Sequence, residues 1–287
     1  MTICIIGLGL IGGSLALDLR ANGFANHIIG VDANPMHGRI ALQERIVDEI
    51  LPLEEGVKRA DLVILAIPVN AIIEQLPAVL AVLEDHVFVI DMGSTKLKIA
   101  NSIEHHPRRN QVVLAHPMAG TEYSGPKAAV EGLFLKKVAI ICEREKSKEE
   151  AIEMAEKLFK SLFMHLIYMD AKAHDVHTAY VSHISHISSF VLALTVLEKE
   201  KSEANIFNLA SGGFASTVRL AKSSPRMWAD VYEQNAGNIL DVLDEYIETM
   251  QHFSNLIREN KYEETFQLMS QANKIGLILD RQHNPVS

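Results

Sequence analysis

Three observations predict an α/β chain with a doubly wound, largely parallel sheet in its first half and an all-α second half. Apolar runs of strand length alternate with helical ones to about residue 170, a glycine-rich turn follows the first run at once, and no strand-like run appears from residue 171 on. The first run, TICIIGLG, passes straight into Gly7-Leu8-Gly9-Leu10-Ile11-Gly12 and then Gly13 and Ser14, after which SLALDLRANG has helical length. HIIGVD, DLVILAIP, HVFVIDMG, VVLAHPM, KVAIICE and MHLIYM follow as further strands, with NAIIEQLPAVLAVLED among the helices between them. These runs are continuously apolar rather than alternating, as expected of strands covered by helices on both faces. The last two come after the His-Pro stretch and are free to join the sheet in another direction.

Beyond residue 171, apolar residues recur at helical spacing through DVHTAYVSHISHISSFVLALTVLEKE, MWADVYEQNAGNILDVLDEYIETMQHFSNLIRENK and EETFQLMSQANKIGLIL. The expected division is therefore a dinucleotide-binding domain over 1–170 and a helical substrate and dimerisation domain over 171–287. In SSFVLALTVL the apolar residues cover more than one stripe, so these helices are expected to pack beyond their own domain, as a homodimer interface.

The length of 287 residues suits two domains. No uninterrupted apolar run reaches the roughly 18 residues of a membrane span, and the first run lacks the basic flank of a signal peptide. Cys4 and Cys142 lie inside strands and read as reduced, buried thiols of a cytoplasmic protein. A net charge of −9 argues against nucleic acid as a partner. The sequence runs on only briefly after its last helical pattern, so no appended regulatory domain is expected.

A G-x-G-x-x-G that follows a strand, opens a helix and is trailed about twenty residues later by an acidic strand end is the Rossmann dinucleotide pattern. Gly7 permits the tight turn, Gly9 lets backbone approach a pyrophosphate, and Gly12 lets helix and strand pack closely. Leu10 and Ile11 open the helix whose N–H groups face the phosphates. Asp32 is placed to accept from ribose hydroxyls and to repel a 2′-phosphate, so NAD is favoured over NADP.

Ligands of open α/β sheets lie beyond the carboxyl ends of the strands. Three such ends stand out: AIPVN, DMGSTK and HPMAGTE. Pro68 and Val69 are apolar and suited to pack along the cofactor. Ser94 sits at a turn tip, where its hydroxyl can orient an imidazole. His116 either fills a gap or handles a proton, and Lys96 either meets a cofactor or carboxylate or is an exposed turn lysine. His174, His177, His183 and His186 form two i,i+3 pairs whose midpoints fall about 180° apart on a continuous helix, so no metal cluster is expected there. His174 and Asp175 are read as marking the helix start.

GLGLIGGS, DMGSTK, HPMAGTEYSG, HDVHTAYVSHISH and STVRLAKSSPRMW, in this order, resemble the prephenate dehydrogenases of tyrosine biosynthesis. The resemblance implies NAD-dependent oxidative decarboxylation of prephenate to 4-hydroxyphenylpyruvate, with arogenate as the sister substrate. It implies His116 as the group that takes the C4 hydroxyl proton and Ser94 as its partner or that of the cofactor. Arg219 pairs with a substrate carboxylate, His186 lines the ring pocket, and Gly120 and Thr121 belong to the substrate side. A histidine suits proton removal near neutral pH, with activity rising through a pKa near 6.5 if His116 is unperturbed. Glu122 follows as a gating or pairing carboxylate, and Trp228 as packing or a pocket wall. Two other readings stand beside this one: a β-hydroxyacid-type dehydrogenase, which requires a helical-domain lysine, and a dinucleotide-sensing module without catalysis.

Overall fold

The computed structural model describes residues 1–203 and 205–283; positions 284–287, part of the expected helical half, lie outside the described residues. The chain divides into two compact units, Met1–Ile239 and Leu240–Ser287.

The first unit is built on an eight-stranded sheet in the order β3-β2-β1-β4-β5-β6-β7-β8. The strands are β1 (Thr2–Ile6), β2 (His27–Val31), β3 (Glu49–Ile50), β4 (Leu62–Leu65), β5 (Phe88–Asp91), β6 (Val112–Pro117), β7 (Val138–Cys142) and β8 (His165–Met169). Every pairing is parallel except β6 with β7, so the last two strands do run against the rest. All seven apolar runs became strands; β3 is the addition. With two residues, it is too short for a hydrophobic period to reveal it.

Side chains alternate across the sheet and are buried on both sides. Ile3, Ile5, Leu62, Ile64, Val113 and Ala115 face one core, shared with helices α1 (Leu10–Ala21) and α6 (Glu149–Ser161). Cys4, Ile6, Val63, Leu65, Val112 and Leu114 face the other, covered by α3 (Leu53–Lys58), α4 (Val69–Val82) and α5 (Leu97–Ser102). Between β2 and β3 lies α2 (Pro35–Gln43), begun by Pro35 and capped by the Asn34 side chain on the Met36 N–H.

The helical part begins at α7 (Ala171–Thr178), whose N-cap is Asp170, its carboxylate accepting from the Ala173 N–H at 2.7 Å. One π turn, Ala179–His183, joins it to α8 (Ile184–Glu200). The continuous helix Ala171–Glu200 is, by length and composition alone, long and apolar enough to cross a membrane. The expectation from uninterrupted runs missed this, because Ser, Thr and His interrupt a run while adding little charge. Three short segments follow, the helical turn Ile206–Leu209, α9 (Gly212–Thr217) and the helical turn Arg219–Lys222, and then α10 (Pro225–Gln234). This last helix is tied to the sheet half: Asn70 donates to Asp230 and Glu233, and Lys98 donates to the Glu233 carbonyl. Finally come α11 (Ala236–Arg258), α12 (Tyr262–Ala272) and α13 (Lys274–His283). In the second unit Leu240, Ile247, Met250, Ile257, Phe266 and Leu277 are exposed.

Candidate active site at the carboxyl edge of the sheet

Strands β1, β4, β5 and β6 are neighbours and parallel, so their carboxyl ends open on one edge. The glycine turn leaves β1 there. Gly7 has φ +97°, and a Cβ on it would come within 2.5 Å of the Ala66 carbonyl oxygen. A Cβ on Gly12 would stand 1.9 Å from the Gly7 carbonyl oxygen, so helix α1 approaches the turn only because Gly12 lacks one. Gly9, by contrast, has nothing within 4 Å of where its Cβ would be. Its bareness serves no contact within the protein and leaves a cradle over the first turn of α1, opened by Leu10 and Ile11 with no side-chain cap.

Asp32 lies beside this turn. One oxygen accepts from the Leu8 N–H at 2.9 Å and the other from the Asn34 N–H at 2.8 Å. Each carboxylate oxygen has a second lone pair, so acceptor capacity remains for a ligand. His37, which the sequence did not single out, lies with Nδ1 3.4 Å from Asp32. At the second strand end, Pro68 is exposed, whereas Val69 is only 3% exposed and packs with Ile72 and Leu76 in the core. The first turn of α4 carries Val69 under the helix, and of the two Pro68 alone faces outward.

The loop after β6 is fixed from below. The Val130 N–H donates to Ser14 Oγ at 3.0 Å and the Gly132 N–H to Asp18 at 2.7 Å, so the loop lies on α1. Gly120 is exposed with open space around it, and the Thr121 hydroxyl accepts from the Tyr123 N–H at 3.2 Å.

His116 is partly buried at the end of β6. Its Nδ1 lies 2.8 Å from Nε2 of His174, and Nδ1 of His174 lies 2.8 Å from Asp175. The Asp175 carboxylate also accepts from the backbone N–H groups of Lys96 at 2.8 Å and Leu97 at 2.9 Å, at the start of α5. His174 and Asp175 are buried, and the helix start they were read as marking belongs to Asp170. Ser94, near this edge, makes no hydrogen bond to His116 among the described residues; the imidazole that orients His116 is another histidine. Lys96 is fully buried, donating to Asp91 and, at 2.8 Å, to the carbonyl of Ala115, the residue before His116. It is not an exposed turn lysine, and the carboxylate it meets is the protein's own.

Burial holds the pKa of His116 well below its ordinary value, and the neighbouring His174, Lys96 and His183 add to the effect. The imidazole is therefore neutral near pH 7 and able to accept a proton. Burial likewise lowers His174, against the pull of Asp175, and takes His183 down to about 4.

The π turn explains how His183 reaches this neighbourhood. It adds residues to one turn, shifting the helical phase between the two histidine pairs away from opposition. His183 is buried with its Nδ1 3.2 Å from the Asn235 amide, and that same amide donates to the Asp175 backbone carbonyl at 2.7 Å. His186 stacks on Trp228 with ring centroids 3.7 Å apart. Among the described residues no three His, Cys, Asp or Glu side chains are grouped to hold a metal ion.

Arg219 extends from the turn after α9 and pairs with Glu122 at 3.1 Å, bringing the helical part over the loop after β6. The guanidinium is half exposed, at 51%, so one face stays open to a further anion.

Fold and site define a nucleotide-binding protein of the Rossmann type with a neutral histidine at the strand edge. The sequence profile for the prephenate dehydrogenase nucleotide-binding domain matches residues 15–168, and that for the prephenate dehydrogenase dimerization domain matches 170–271. The chain belongs to the prephenate dehydrogenase family. It is 34% identical to the prephenate dehydrogenase of Bacillus subtilis (strain 168) over 278 residues, 94% of this chain and 74% of that one. The prephenate dehydrogenase of Aquifex aeolicus, solved with hydroxyphenyl propionate and NAD+, superposes with a TM-score of 0.89 at 28% identity, covering 97% and 98% of the two chains. The arogenate dehydrogenase of Synechocystis gives a TM-score of 0.74 at 26% identity, covering 96% and 98%.

Proposed function

We propose that this chain is an NAD-dependent dehydrogenase that oxidatively decarboxylates prephenate to 4-hydroxyphenylpyruvate in the cytoplasm, with arogenate as the alternative substrate. The single observation that carries the reading is His116, a neutral imidazole at the strand edge beside the glycine turn. Its Nδ1 is engaged inside the protein, leaving Nε2 for a substrate. In this reading residues 1–170 carry the cofactor and 171–287 complete the substrate site and the dimer.

The residues present fit a dinucleotide. Gly9 keeps its cradle bare, Leu10 and Ile11 present N–H groups at the start of α1, Asp32 has lone pairs to spare for ribose, and Pro68 and Ser94 line the same edge. Bound NAD supplies the hydride acceptor. The protein's own work is orientation and proton removal. His116 Nε2 accepts the proton of the C4 hydroxyl, so that O–H bond breaks as N–H forms. Arg219 holds a substrate carboxylate with its planar fork, which a protein of net charge −9 needs in order to bind a dianion. His186, held against Trp228, and the small residues Gly120 and Thr121 bound the ring pocket.

The second feature of the proposal is a homodimer. Val181, Val191, Leu194 and Leu197 are exposed on the helical part, and Ile187, Phe190, Val191, Leu194, Trp228 and Tyr232 line an open apolar groove of about 300 Å³. Apolar side chains exposed together around an open groove support an interaction surface. Sedimentation showing a monomer at micromolar concentration would remove the dimer.

NADH formation measured with prephenate and arogenate side by side tests the activity; no NADH with either overturns it. His116→Asn is expected to cut turnover by orders of magnitude with NAD affinity nearly intact. A variant keeping more than half of wild-type turnover takes His116 out of the reaction.

A further inference from the structure

His174 and Asp175 have no role in the reading above, yet their hydrogen bonds determine which nitrogen of His116 is bare. We infer that His174 and Asp175 are positioning residues that fix the tautomer of His116, presenting Nε2 as the acceptor; the inference rests on His116 being the proton acceptor.

Assignment starts at the carboxylate. Asp175 accepts from two backbone N–H groups, those of Lys96 and Leu97, and an acceptor in that setting is an ionised carboxylate with no proton to donate. His174 Nδ1, 2.8 Å away, must then carry the hydrogen. A neutral imidazole with Nδ1–H has a bare Nε2. That bare Nε2 lies 2.8 Å from His116 Nδ1, which must be the donor. His116 Nε2 is left without a proton. Each bond admits one direction only, so a carboxylate two side chains away sets the state of the nitrogen that meets substrate. Once Nε2 takes the substrate proton, Nδ1–H of the imidazolium still donates to His174, itself polarised by Asp175, so the bonded chain stabilises the cation without a second transfer.

The chain is rigid as well as directional. His174 and Asp175 are buried, Thr178 Oγ1 bonds the His174 carbonyl at 2.9 Å, and Asn235 bonds the Asp175 carbonyl. From the other side, Lys96 holds the carbonyl preceding His116. The imidazole is thus fixed through its backbone and through its Nδ1.

Nitrogen-15 NMR of histidine-labelled wild-type protein reads the tautomer directly. The expected result is a protonated Nδ1 and a bare Nε2 on His116; the reverse overturns the inference even if catalysis is intact. Asp175→Asn removes the charge behind His174, and with its NH2 turned to His174 it reverses every bond and leaves His116 with Nε2–H. Loss of the orienting carboxylate behind a catalytic histidine costs about 10⁴-fold in other enzymes. Here kcat is expected to fall by about 10²-fold or more, with KM for substrate and NAD affinity little changed and the NMR signature swapped. His174→Gln keeps an amide oxygen able to accept from His116 Nδ1 and should retain far more activity than His174→Leu. A folded Asp175→Asn protein turning over within about threefold of wild type, with His116 Nε2 still bare, overturns the inference. Wild-type protein inert toward both substrates fails the functional reading instead, while the NMR measurement still decides the tautomer.

Discussion

Acidification from pH 7 to pH 5 should cost this protein stability through one buried histidine. His183 is 1% exposed, and burial lowers its pKa from 6.5 to about 4. Between those values the unfolded chain protonates this imidazole and the folded chain does not. Unfolding therefore takes up a proton, and stability falls as pH falls through the window. Above 6.5 both states are neutral and there is no penalty. With 1.36 kcal/mol per pKa unit, the loss from this group is about 2 kcal/mol by pH 5 and about 3 kcal/mol by pH 4. Urea unfolding at pH 7 and pH 5, at one fixed protein concentration, measures it in wild type and in His183→Gln. The variant also loses its contact to Asn235, so only the change between the two pH values is compared. The variant should lose about 2 kcal/mol less than wild type on acidification. Equal losses would refute the argument, since they would show that His183 takes its proton in the folded state as readily as in the unfolded one.

Three further outcomes follow from the site. Because burial holds His116 well below its ordinary pKa, the acid limb of kcat/KM should lie below pH 6.5, and a limb centred at 6.5 or above contradicts the geometry that lowers it. Gly9→Ala should fold with stability within about 1 kcal/mol of wild type, because its Cβ meets nothing, yet bind NAD weakly by calorimetry; Gly12→Ala, with a Cβ 1.9 Å from the Gly7 carbonyl, should lose both binding and stability. Equal NAD affinity in Gly9→Ala and wild type would sink the cradle assignment. Arg219→Gln should raise KM for substrate about 10- to 100-fold, the worth of a charge-assisted bond. Its unfolding midpoint should barely move, because the Arg219 side of the Glu122 pair is half exposed; an unchanged KM leaves Arg219 a surface residue.

The sequence displayed those features whose cause is local. Seven strands were visible as apolar runs, and the glycine turn with Asp32 was visible because its spacing between a strand and a helix is a local pattern. Position alone raised His116, since a histidine ending a buried strand needs a reason. What stayed hidden depends on contacts far apart in the chain. His174 meets His116 across 58 positions and Asp175 meets the start of α5 across 78 or more, and no periodicity reports such a pair. The π turn alters the phase that a helical wheel assumes, because a wheel uses one angle per residue throughout. Lys96 was left open between a carboxylate or cofactor contact and an exposed turn, because no sequence rule shows that Asp91, five residues earlier, and the Ala115 carbonyl converge on its ammonium.

The π turn and the helix before it also bear on how the two halves depend on each other. His116 lies within the span matched by the nucleotide-binding profile, whereas His174 and Asp175 lie just inside the span matched by the dimerization profile. The junction of the two profiles thus separates His116 from the two side chains hydrogen-bonded in series behind it. A chimaera joined at residue 170 inherits its histidine from one parent and that histidine's proton arrangement from the other. Recombination between relatives would therefore preserve function only where both parents agree at α7, and the crossover point that leaves the reacting unit whole lies beyond Thr178 rather than at the visible seam.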